Sequence, residues 1–124
     1  LNRKIAISGM IITAVTIAIG AFGAHGLRNL VDTDALNTFE VGVRYQMYHA
    51  LAIVLLGFVS SPNRLKRIVF TFFVLGILFF SGSIYLLSLN AVLPFDAAKI
   101  GFITPMGGLM FILGWLRWAY GLFR

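Results

Sequence analysis

Four long apolar runs joined by short polar segments fill nearly all of the 124 residues. Crossing about 30 Å of hydrocarbon takes about 20 helical residues. No water is available there to pair exposed backbone groups, so a spanning run closes its hydrogen bonds within itself as a helix. The runs cover Ile5 to Ala24, about 44–60, Ile68 to Leu89 and Ile100 to Leu116. The expectation is an all-α polytopic membrane protein, one domain over residues 1–124, with four transmembrane helices in a compact bundle. With 60% hydrophobic and 11% charged residues the chain lies far from a soluble domain.

The second run is the least regular, because its uninterrupted apolar stretch begins only after His49. Leu36, Phe39, Val43, Met47 and Ala50 nevertheless recur every three or four residues, the signature of one apolar helix face. An amphipathic helical lead-in over 34–44 is expected, on or rising from the membrane surface, with Thr33 or Asp34 as its cap.

Charge sets the expected orientation. Arg3, Lys4, Arg64, Lys66, Arg67, Arg117 and Arg124 fall at one end of the runs with no acidic residue among them. Arg28, Arg44 and Lys99 share the other end with Asp32, Asp34, Glu40 and Asp96. By the positive-inside rule both termini are cytoplasmic. A secretory signal peptide ending near Ala21 and Gly23 is the competing reading, but the first run is longer than a signal core. The net charge of +6 sits in joints between spans, which points to the bilayer as partner and away from nucleic acid. Without cysteine, disulfides, thiolate metal sites and a cysteine nucleophile are excluded.

Small residues mark helix contacts. Gly107, Gly114 and Gly121 recur every seven residues along one seam of the fourth run, and Gly20 and Gly23 crowd the end of the first. Packing within the bundle is the first reading and a homo-oligomer the second.

With the orientation fixed, the unusual polar residues gather in the outer half of the bundle: His25, then Arg44, Tyr45, Gln46 and His49, then Ser81 and Ser83, then Thr104 and Pro105. Polar groups in hydrocarbon are costly unless paired, so the cluster is a ligand-binding candidate. Glu40 and Arg44 are spaced to pair along one helix strip, and Pro105 is expected to leave the Gly101 carbonyl without its usual donor. The histidines come one from each of two helices, and neither a haem nor a metal-ligand spacing accompanies them. No cofactor is expected. No carboxylate lies inside a span to assist a histidine, and Ser81 and Ser83 lack a nucleophile-elbow context, so catalysis is a minor reading.

The stretches Gly20-Ala-Phe-Gly-Ala-His-Gly-Leu27, Phe39 with Arg44-Tyr-Gln-Met-Tyr-His49, Phe80-Ser-Gly-Ser83 and Thr104-Pro-Met-Gly-Gly108 together resemble the YgdD/YwdK-type family of small bacterial membrane proteins. That family is a domain of unknown function with distant eukaryotic relatives. The resemblance implies a four-helix inner-membrane protein in which His25, Arg44, Tyr45, Gln46, His49, Thr104 and Pro105 are characteristic positions. It implies no substrate. Two functions stay open: a polar cleft binding a lipid or small molecule for transport or sensing, or a structural or accessory subunit whose polar residues lock the bundle.

Overall fold

The computed structural model describes residues 1–124 as helices joined by short turns. Helix α1 (Arg3–His25) is followed by a single 3-10 turn and by α2 (Thr33–Phe58). The third span is composite: α3 (Asn63–Gly76), one π-helical turn (Ile77–Ser81) and α4 (Gly82–Ser88). Two further 3-10 turns lead to α5 (Ile103–Phe123). Four stretches, 3–29, 33–58, 63–88 and 97–123, are long and apolar enough to cross a membrane.

The helix starts follow from local chemistry. Asn2 Oδ1 accepts the Ile5 N–H at 3.1 Å, and Asp32 Oδ1 accepts the Ala35 N–H at 2.8 Å. The cap of α2 is thus Asp32, one residue before the expected Thr33 or Asp34. The amphipathic lead-in and the second span form one unbroken helix of 26 residues, because no proline or cap interrupts the apolar face between them. The last span also differs from its expected limits, beginning at Ile103 and running on to Phe123.

That shift changes the role of Pro105. It stands in the first turn of α5, where a backbone N–H would have no partner within the helix in any case. The Gly101 carbonyl, expected to be left free, accepts the Thr104 N–H at 3.3 Å.

Two antiparallel pairs organise the bundle, α1 with α2 and α3 with α5. Glycines set both distances. A Cβ on Gly9 would lie 2.5 Å from the Val54 backbone nitrogen, and one on Gly57 would lie 2.6 Å from that of Ala6. On the other pair, Gly107 backs onto the Phe79–Phe80 backbone, Gly114 onto Phe73 and Gly121 onto Leu65. The seven-residue seam of the fourth span is therefore occupied inside the chain, the closeness that small residues permit between membrane helices. Ile53, Leu56, Val69, Phe73 and Phe111 fill the centre, while Ile11, Leu55, Leu78 and Leu116 point outward as a lipid-facing surface would require. Both chain ends lie at one end of the bundle: Asn2 donates its N–H to the Gly57 carbonyl, and Gly121 abuts Leu65.

Candidate functional site

Most hydroxyls in the spans are satisfied within their own helix. Ser8, Thr13, Thr71 and Ser88 each donate to the carbonyl four residues earlier. A second set of polar side chains does something different, and ties one helix to the next.

Gln46 is the hub. Its Nε2 donates to Thr16 Oγ1 on α1 at 2.8 Å, and its Oε1 accepts the Tyr85 hydroxyl of α4 at 2.7 Å. The Thr16 hydroxyl in turn donates to the Ile12 carbonyl at 2.6 Å. One turn earlier on α2, the Gly42 carbonyl accepts the Ser81 hydroxyl at 2.8 Å. Ser81 belongs to the π turn, where Gly82 N–H reaches back five residues to the Ile77 carbonyl. This wide turn both directs Ser81 at α2 and presents the Phe79–Phe80 backbone to Gly107. Ser83 and Thr104 join α4 to α5 through their hydroxyls.

His49 closes the ring between α2 and α5. Trp115 Nε1 lies 3.0 Å from its Nε2, and the Tyr45 carbonyl lies 2.7 Å from its Nδ1. An indole nitrogen only donates and a carbonyl only accepts, so the imidazole is neutral with its proton on Nδ1. The ring stacks on Phe111 with centroids 3.6 Å apart and planes 9° apart, and meets the edge of Phe73. Both nitrogens and one face are occupied.

The expected cleft residues thus separate into two groups. Gln46, His49, Ser81, Ser83 and Thr104 are joined in the interhelical bonds. His25, Arg44 and Tyr45 are exposed, and Pro105 stands in the first turn of α5. His49 is the seventeenth of the 26 residues of α2, past that helix's midpoint. Gly9 meets Val54 and Gly23 meets Phe39, which sets His49 level with Ala14. His25 lies eleven residues further along α1, about 16 Å away, so the two histidines cannot share one ligand.

Arg44 and Glu40 do not bond to each other. They stand at the mouth of a groove of about 280 Å³ between α1 and α2, floored by Gly20, Gly23, Phe39 and Val43. Of the expected binding residues only Arg44 lines it, while Gln46 borders a separate, apolar cavity of about 270 Å³ with Ile12, Val15 and Ile77. Thr16 and Trp115 were not among the expected site residues. A donor-only indole inside an apolar run does signal the need for a partner, but nothing in its spacing identifies His49. Lys66, counted among the charges of the basic end, is 1% exposed and donates to the Gly57 carbonyl near the end of α2 at 3.3 Å, a favourable place for a cation. The single buried side-chain nitrogen or oxygen without a partner is Trp118 Nε1.

Similar proteins are named as membrane proteins. The profile described as a protein of unknown function (DUF423) matches residues 19–108. A UPF0382 membrane protein of Staphylococcus saprophyticus, SSP2132, is 39% identical over 95% of both chains. One from Haemophilus influenzae is 38% identical, covering 87% of this chain and 84% of its own. The UPF0382 membrane protein YwdK of Bacillus subtilis is 36% identical, covering 89% of this chain and 88% of its own. No solved structure matches. With the profile and relatives of this identity spanning most of its length, the chain belongs to the DUF423 family of UPF0382 membrane proteins, a family of unknown function.

Proposed function

We infer that the chain is a non-enzymatic membrane protein with a structural or accessory role, whose polar residues fasten four helices into one rigid unit. The observation that carries this is the state of His49 and Gln46. Both imidazole nitrogens and both ends of the carboxamide already bond to neighbouring groups, which leaves little for a ligand to recognise between the helices. In hydrocarbon such bonds average about 0.6 kcal/mol each. Their worth lies in setting which residues face each other, because lipid tails are as apolar as the helix surfaces and give no hydrophobic drive to association.

A second reading, a lipid or small molecule bound on the outer side, has one observation in its favour. Arg44 keeps an unpaired charge beside the glycine-floored groove, and a charge in a span is a functional candidate by default.

One experiment separates the two. The purified full chain and its Gln46→Leu, His49→Ala and Arg44→Ala variants are compared by denaturation in sodium dodecyl sulfate and by native mass spectrometry of co-purifying molecules. The structural reading expects the first two variants to lose about 1 kcal/mol of stability or more with unchanged co-purifying molecules. Loss of a bound species at unchanged stability would overturn it, and loss confined to Arg44→Ala would favour the second.

A further inference from the structure

We propose that the basic end of the bundle holds the headgroup of an anionic phospholipid between α3 and α5, with an acyl chain lying along α3. A cavity of about 310 Å³ opens there. Arg64 enters it from the start of α3, and Arg117 and Arg124 enter from the last turns of α5. Tyr120 braces the α5 pair, its ring centre lying 5.9 Å from the Arg117 guanidinium carbon and 5.8 Å from that of Arg124. Gly121 packs so closely on Leu65 that a Cβ there would come within 2.4 Å of it, which closes the floor.

Three features give the occupant its chemistry. The first is uncompensated charge. None of the three arginines meets a carboxylate, and every acidic residue of the chain lies at the opposite end. A guanidinium presents its donors in a planar fork that suits phosphate oxygens. The second is amphiphilic shape. Arg64, Arg67 and Ile68 also border a second cavity, of about 490 Å³, which loses its charge as it continues past Thr71 and Phe72 to Leu75. These residues recur every three or four positions, so the track follows one face of α3 for about 16 Å. A soluble phosphate compound would leave it empty, whereas a phospholipid fills both parts. The third is the contrast between the ends. Arg28, Arg44 and Lys99 share their end with four acidic residues, so net positive charge and an apolar track coincide only here.

The full chain in micelles is offered equal amounts of dioleoyl phosphatidylglycerol and dioleoyl phosphatidylcholine, and native mass spectrometry counts the retained lipid. The wild-type chain should retain phosphatidylglycerol in preference. A basic residue near an anionic surface contributes roughly fivefold in affinity, so Arg64→Gln with Arg117→Gln should weaken retention about 25-fold. Arg28→Gln with Lys99→Gln removes the same charge from the other end and should leave it unchanged. Ile68→Trp fills the track at constant charge and should reduce retention too, which keeps the test decisive should the arginine variant fold poorly. Equal weakening by the two charge variants would overturn the proposal, as would indifference of the wild-type chain to the headgroup or full retention by Ile68→Trp.

Discussion

Gly107 and Gly108 are adjacent in α5, yet they meet the π turn on different terms, and substituting each by alanine measures how closely the last two spans are fitted. A Cβ on Gly107 would lie 2.2 Å from the Phe80 backbone nitrogen and 2.7 Å from the Phe79 carbonyl carbon. On Gly108 the nearest neighbour is a Phe80 ring carbon at 3.7 Å, an ordinary contact. Reaching even 3.4 Å at Gly107 requires α5 to retreat by about 1.2 Å, because the obstacle is backbone and cannot rotate aside. The same retreat stretches the Ser83–Thr104 bond, less than a turn away. Both substitutions gain the same helix propensity, about 1 kcal/mol relative to glycine. That contribution cancels in the comparison. What remains is overpacking, typically about 1–3 kcal/mol, plus an interhelical bond of about 0.6 kcal/mol. Gly107→Ala should therefore be less stable than Gly108→Ala by about 2–3 kcal/mol. Titration with sodium dodecyl sulfate, followed by the fluorescence of Trp115 and Trp118, reads this gap on the helix concerned. Coincident unfolding of the two variants would refute the argument that the π turn is the seat of Gly107.

Two shorter predictions follow from the ring of bonds and from the charge pattern. In a double-mutant cycle, His49→Phe and Trp115→Phe should couple by about 0.6 kcal/mol and by no more than about 1.7; additive losses would mean that the Trp115–His49 bond does not form. Because the chain has no cysteine, single replacements at Asn63 and Phe95 report topology directly. An impermeant thiol reagent added outside intact cells should label the Phe95 position and spare Asn63, as the positive-inside rule requires, and the reverse pattern would invert the proposed orientation.

The spans were legible because hydrocarbon imposes so few options: a long run without charge has to be a helix, and its length is set by bilayer thickness. Boundaries were read less well where that constraint relaxes. Residues 34–44 carry an apolar face beside Glu40 and Arg44, and the lead-in expected there runs on into the second span without a break from Thr33 to Phe58. The start of the last span was less legible, at Ile103 rather than Ile100. Pro105 went the same way, since its effect depends on whether it stands inside a helix or in its first turn, and the start of α5 at Ile103 decides that.

Partner choice was the part that local pattern could not supply. Thr16, Gln46 and Tyr85 meet because Gly9 and Gly57 let α1 approach α2, and because Ser81 and the π turn orient α4. The close approach selects the register, and the register then decides which donor finds which acceptor. The glycines carry no chemistry, and the bonds alone are too weak to hold helices apart from their lipid surroundings. Acting together they restrict each other: a slip of one turn along α1 and α2 would carry Gly9 off the Val54 backbone and Thr16 away from Gln46 at once. That coupling is the physical reason to regard the polar core as a register device, and to seek ligand recognition on the outward-facing arginines, whose charges the bundle leaves free.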